Sequence, residues 1–115
     1  MKWYLVISII YATLIACSAD NDSIYAGRFV WGAEVITFQP CHSKKVYWVS
    51  ASSWIRGPLL EFYKNTTTKP YQPVYIQFRG QLLDEKVDGF AADYDGLMRI
   101  SEIKKTALQL PEHCI

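Results

Sequence analysis

The sequence is poor in the residues and motifs from which common active sites are built. It has two histidines in 115 residues, and both stand beside a cysteine, at Cys41-His42 and His113-Cys114. It contains no Gly-x-Ser-x-Gly, no glycine-rich phosphate loop and no His-Glu-x-x-His. Nucleophilic catalysis needs a serine or cysteine near a histidine that is oriented by an acid. We therefore expect a protein that is not an enzyme and carries no cofactor; an enzyme of unrecognised type is the alternative.

The chain also lacks an excess of charge of either sign. It carries 12 basic and 11 acidic side chains, and removal of residues 1–16 takes away only Lys2. The remainder is neutral, whereas nucleic-acid-binding domains usually carry a basic patch or stripe. No nucleic-acid partner is expected.

No apolar run is long enough for a transmembrane helix, which needs about 20 apolar residues. Residues 3–16 form a run of 14 uncharged residues behind Met1 and Lys2. Runs of roughly 10–14 residues are typical of export signals, and this run ends in a small residue, Ala16. We therefore expect a signal peptide over residues 1–16.

The residues Leu14-Ile15-Ala16-Cys17 resemble the bacterial lipobox. The resemblance implies cleavage before Cys17 by signal peptidase II, with a diacylglyceryl group on its thiol and an acyl chain on its amine. Several acyl chains anchor a protein stably, because each buried CH₂ contributes ~0.8 kcal/mol. Ser18, in place of an aspartate, resembles an outer-membrane sorting signal of Gram-negative bacteria. Secretion without a lipid is the alternative.

Three cysteines are an odd number for an exported protein, and lipidation of Cys17 would leave two. Cys41 and Cys114 are then expected to form a disulfide in an oxidising compartment. The bond would close a loop with a separation of 73 positions and fix the C-terminus to the domain. Two free buried thiols are the alternative.

Hydrophobic periodicity predicts a mainly β domain over residues 25–115, after a polar tether over residues 17–24. Four strands are expected over residues 27–39, 46–49, 74–82 and 97–103, with the first bent at Gly32 and a short edge strand added before Pro111. The side chains expected to face inward are Val74, Ile76, Phe78, Gly80 and Leu82 in the third strand, and Met98 and Ile100 in the fourth.

One helix is expected between the second and third strands. Ile55, Leu59, Phe62 and Tyr63 recur at the spacing of one helical face. Pro58 suits a first helical turn, so we place the helix over residues 58–65, with residues 52–57 as an irregular segment before it. Short strands around one helix favour a small, partly open, OB-like barrel of four or five strands.

These residues resemble a known family domain. The resemblance rests on Gly27-Arg28-Phe29, on Phe38-Gln39-Pro40-Cys41, on the strand from Pro73 to Gly80 and on Cys114 near the C-terminus. Together they are similar to the C-terminal OB-like domain of the NlpE-type envelope lipoproteins, which are linked to copper homeostasis, adhesion and envelope stress. The resemblance covers about residues 25–114 and implies an OB-like fold, a Cys41–Cys114 disulfide and a non-enzymatic role. This sequence contains no Cys-x-x-Cys pair, which the family has in a separate domain.

Three sets of side chains are candidate sites. His42 and His113 would be brought together by the disulfide. Two cysteines and two histidines, Cys41, His42, His113 and Cys114, are alternatively a metal site, although adjacent Cys-His is poor geometry for chelation. Tyr75, Gln77 and Arg79 alternate with the expected core residues and are the candidate binding face. The acidic residues Asp84, Glu85, Asp88, Asp93 and Asp95 are interpreted as solvated loop charge, since a calcium loop would need further ligands.

Together these features predict a monomeric outer-membrane lipoprotein that acts by contact. The expected partners are the membrane, through the lipid, and an envelope protein that the sequence does not name. A ligand-binding module for a metal ion such as copper, or for a glycan, is the alternative.

Overall fold

A computed structural model describes residues 22–83 and 92–114 of the chain. The elements in order are β1 Ser23–Gly32, β2 Val35–Pro40, β3 Tyr47–Ala51, α1 Ser53–Thr66, β4 Val74–Leu83, β5 Leu97–Ala107 and a short 3-10 helix Glu112–Cys114. The predicted signal peptide, the lipid site at Cys17, and Asp84, Glu85 and Asp88 lie outside the described residues. Within these two ranges, no helix is long and apolar enough to cross a bilayer.

The five strands form one closed barrel. Their order around it is β1-β2-β3-β5-β4, and β4 pairs with β1 to complete the ring. All neighbouring pairs are antiparallel except β3 with β5, which run parallel. The prediction of a mainly β barrel with one helix is confirmed. The barrel is closed where a partly open one was expected, so each of the five strands has a neighbour on both sides.

The prediction of one long first strand is wrong. β1 and β2 are separate strands of a hairpin that turns at Ala33 and Glu34, with Gly32 paired to Val35. Side chains alternate with period 2 in both arms of a hairpin, so the alternation alone does not reveal the turn. β1 also begins at Ser23, inside the residues predicted to be tether.

The helix is longer than predicted, and Pro58 lies inside it. Proline cannot donate the backbone hydrogen bond to residue 54, yet the helix continues through this position. Ile55, Leu59 and Tyr63 are all buried, at a spacing of four residues. Packing of this stripe on the barrel extends the helix back to Ser53, which local preferences did not predict.

The core lies inside the barrel and under α1. The side chains with the least exposure are Phe29, Phe38, Phe78, Ile76, Met98 and Val74. The inward positions predicted for β4 and β5 are thus confirmed for Val74, Ile76, Phe78, Met98 and Ile100.

The ends of β4 and β5 differ from the predictions. Leu82, the last residue but one of β4, is 41% exposed rather than inward, although its partner in the register, Met98, is fully buried. β5 continues to Ala107, so the residues expected to form a separate edge strand prolong β5 instead.

Candidate functional site

Cys41 and Cys114 form the predicted disulfide, with their Cα atoms 4.5 Å apart. Cys41 follows β2, and its N–H donates to the carbonyl of Ala26 in β1 at 3.0 Å. Cys114 is buried at the end of the 3-10 helix. The bond joins the C-terminal segment to the first hairpin, so neither Cys41 nor Cys114 has a free thiol.

The disulfide brings His42 and His113 together, as the sequence predicted. Their ring centres are 6.3 Å apart, and both residues are exposed. Because the two sulfurs are bonded to each other, neither is available as a thiolate ligand beside these rings. In residues 22–83 and 92–114, no group of three potential ligand residues is arranged to hold a metal ion.

The predicted binding face on β4 is not continuous. Arg79 is exposed and Gln77 is half-buried, but Tyr75 is only 7% exposed. Tyr75 was expected to be accessible because it alternates with core residues. Alternation determines the face of a strand on which a side chain lies, and not what covers that face. Tyr75 is therefore too buried to serve as an accessible binding residue.

A different surface offers an open concavity. Two grooves of about 460 and 540 Å³ meet at Trp31, Gly32 and Ala33, at the tip of the β1–β2 hairpin. The first continues along the C-terminal end of α1 and the loop after it, and is lined by Tyr63, Lys64, Thr67, Thr68, Lys69 and Pro70. The second continues between α1, β2 and β3, and is lined by Glu34, Val35, Ile36, Trp48, Arg56 and Leu60. We call the two together the Trp31 groove.

Tyr63 fixes the floor of the Trp31 groove. Its ring meets Trp31 edge to face at 5.9 Å and Phe29 in the same manner at 5.7 Å. Its hydroxyl donates to the Gln72 carbonyl at 2.6 Å. Burial raises the pKa of Tyr63, and a hydrogen bond with the Trp31 backbone partly offsets this rise. One buried side chain thus joins the helix, the hairpin and the following loop.

The loop after α1 forms one wall of the groove. Thr67 ends the helix, because its N–H and its hydroxyl both donate to the Tyr63 carbonyl, at 3.0 and 2.7 Å. The Gln72 side-chain oxygen accepts from the N–H groups of Thr68 and Lys69, at 2.9 and 3.3 Å. These bonds tie the loop to the end of the helix and to Gln72.

Tyr71 closes the same loop onto the hairpin. Its backbone φ is 58°, in the left-handed region that non-glycine residues rarely adopt. Its ring occupies the space where a side chain on residue 32 would lie, since a Cβ added to Gly32 would overlap it. Glycine at this position therefore allows the loop to approach the hairpin.

The Trp31 groove combines aromatic and cationic side chains. Trp31 and Trp48 are half-buried, and Trp48 packs on Tyr94 at 5.5 Å. Its lining includes three cations, Arg56, Lys64 and Lys69, and one acid, Glu34. No local sequence pattern singles out Trp31, Lys64 and Lys69, because these residues meet only in the folded chain.

Comparisons with family models, with curated proteins and with solved structures found nothing that matches this chain. The resemblance to the NlpE-type domain therefore stays a prediction from the sequence.

Proposed function

We propose that this protein is a non-enzymatic outer-membrane lipoprotein that acts as an interaction or sensing module in the envelope of a Gram-negative bacterium. The lipid on Cys17 holds the chain to the membrane, and the barrel faces the periplasm. The barrel is a monomer and binds one partner segment in the Trp31 groove. The proposal needs no cofactor and no nucleic acid.

The observation that carries the contact role is an open, aromatic-lined groove whose walls are joined by packing and hydrogen bonds. Its walls come from the hairpin, α1 and the loop 67–73, and Tyr63 joins all three. A site held in place before binding loses little conformational entropy when a partner binds. Trp31 and Trp48 supply the kind of side chain that contributes most at protein interfaces.

The charge of the groove indicates the chemistry of the partner. The three cations against one acid favour an extended segment that carries acidic side chains. The cations are solvent-exposed, so this attraction should weaken with added salt. The segment would lie along the hairpin tip, with its acidic side chains toward Lys64 and Lys69.

The proposal is tested by photocrosslinking in intact cells. A photoreactive residue at Lys64 should form one discrete adduct with an envelope protein, and the crosslinked peptide should be acidic. The same residue at Lys44, which is also exposed but lies beside the disulfide, is the matched control and should not form that adduct.

Charge reversal provides the second arm of the test. The Lys64→Glu/Lys69→Glu variant should lose the adduct formed from a probe at Leu60, whereas Lys44→Glu/Lys45→Glu, with the same change in net charge, should retain it. No adduct from either groove position, or the same adduct from Lys44, would contradict a role for this groove.

A glycan ligand is the second candidate, because two indole rings line the same groove. Aromatic rings provide flat apolar surfaces, and OB folds bind oligosaccharides on their barrels. Titration with peptidoglycan fragments, followed by the NMR signals of the indole N–H groups, would then show saturable shifts at Trp31 and Trp48. Shifts confined to other residues would exclude this use of the groove.

A further inference from the structure

Trp54 is the most exposed large hydrophobic side chain in the described part of the chain, at 73%. It is the second residue of α1, next to Ile55, which is buried against the barrel. Tryptophan is large and apolar but has one polar N–H, and it is enriched where a bilayer meets water. An exposed indole is therefore suited to contact with the interface between a bilayer and water.

The surroundings of Trp54 have the chemistry of a lipid headgroup site. Trp54 lines an open groove of about 520 Å³ together with Arg99, Ser50, Ser52 and Ser101. Arg99 is exposed and is paired with Ser50 across the parallel strands β3 and β5. An exposed guanidinium binds phosphate through paired N–H groups, and the hydroxyls of Ser50 and Ser52 are able to donate to the same oxygens. The Ser101 hydroxyl lies 2.9 Å from both the Asp22 carboxylate and the Arg79 carbonyl, so its one hydrogen is already donated within the protein.

Two acids lie beside this groove, and neither is among the residues that line it. The Asp22 carboxylate lies 2.9 Å from the Ser101 hydroxyl. Glu102 forms a 2.9 Å salt bridge with Lys104, and that lysine lowers the pKa of Glu102. Arg99 is therefore the charged side chain that the groove itself presents.

The path of the chain places this groove toward the membrane. Through its contact with Ser101, Asp22 lies at the border of the groove that Trp54 lines. Cys17 precedes Asp22 by five residues, which span at most about 18 Å when fully extended. A lipid on Cys17 would thus hold this side of the barrel within that distance of the headgroups.

We propose that the Trp54 patch, formed by Trp54, Arg99, Ser50 and Ser52, docks on the phospholipid headgroups of the bilayer in which Cys17 is anchored. This inference rests on the lipid anchor of the proposed function. Lys64 follows Trp54 by ten residues, or about 15 Å along the helix axis. Docking at Trp54 therefore leaves the Lys64 end of the Trp31 groove open to the periplasm.

The test uses the full chain, purified from membranes and reconstituted in vesicles of phosphatidylethanolamine and phosphatidylglycerol that contain brominated lipid. Bromine quenches indoles that reach the bilayer, and three tryptophans remain after residues 1–16 are removed. Wild type should be partly quenched. The Trp54→Phe variant should lose most of that quenching, and the matched Trp48→Phe variant should keep it.

Failure of docking and failure of the anchor give different results. Acylated wild-type protein that floats with vesicles but is quenched no more than Trp54→Phe would overturn the docking surface alone. A chain that mass spectrometry shows to be without acyl groups would overturn the anchor and the docking together. Loss of quenching in Arg99→Gln, with flotation unchanged, would add support for headgroup contact.

Discussion

The disulfide should supply a large share of the stability of the barrel, and its removal is the sharpest test of the fold. Cys41 and Cys114 are separated by 73 positions. Closing a loop of that length lowers the entropy of the unfolded chain enough to stabilise the fold by about 4.4 kcal/mol. Domains of this size have total stabilities of about 5–15 kcal/mol.

The experiment compares urea unfolding of Cys17→Ser protein with that of the same chain carrying Cys41→Ala and Cys114→Ala. With a denaturant slope of about 1.5 kcal/mol/M, the midpoint should fall by roughly 3 M. The slope should also increase, because an unfolded chain without the cross-link exposes more surface. The Cys17→Ser protein is the matched control, since it retains the bond.

Two results would refute the reasoning. If removal of the disulfide lowers the free energy of unfolding by less than about 1 kcal/mol, the bond does not reduce the entropy of the unfolded chain by the amount that its loop length requires. If Cys17→Ser alone lowers the urea midpoint as much as removal of Cys41 and Cys114 does, the three cysteines are assigned to the wrong roles.

Two further substitutions test the Trp31 groove. Tyr63→Phe removes the 2.6 Å bond to Gln72 and should lower the free energy of unfolding by about 1 kcal/mol in urea titrations. Burial raises the pKa of Tyr63 above its usual 10.0, so the neutral phenol stabilises the fold up to about pH 10, and this contribution is lost as the pH rises through the folded-state pKa. Tyr63→Phe should therefore lose less stability than wild type above about pH 10, and an identical loss in the two proteins would argue against this contribution. Gly32→Val should force the Tyr71 ring from its place and lower the free energy of unfolding by about 1–3 kcal/mol, measured by thermal unfolding. Ala33→Val, at the exposed neighbouring position, should change the free energy of unfolding little. Equal effects of the two substitutions would contradict the close approach of Tyr71 to Gly32.

The fold class and the disulfide could be predicted from the sequence because the first depends on the period-2 alternation of apolar residues and the second on the number of cysteines. Alternation identified the inward residues of β4 and β5, and cysteine parity identified the pair. The hairpin between β1 and β2 escaped prediction because its turn is Ala33-Glu34. Favoured hairpin turns use glycine or asparagine at positive φ, and this turn has neither.

The errors in the helix and in the binding face have a common origin in tertiary packing. Pro58 was placed at the start of a helix because of its local preference, yet burial of Ile55 sustains a helical turn before it. Tyr75 was assigned to a solvent face from its parity, and the folded chain covers it. The Trp31 groove depends on contacts between residues distant in sequence, such as Tyr71 with Gly32, that no local pattern encodes.

We propose that lipid on Cys17 holds this disulfide-bonded barrel to a membrane. Intact mass spectrometry of the protein extracted from membranes, after maleimide treatment in denaturant without reductant, tests it most directly. The account predicts a chain that begins at Cys17, carries acyl mass and takes up no maleimide. A chain without acyl mass, or maleimide on Cys41 and Cys114, would contradict it.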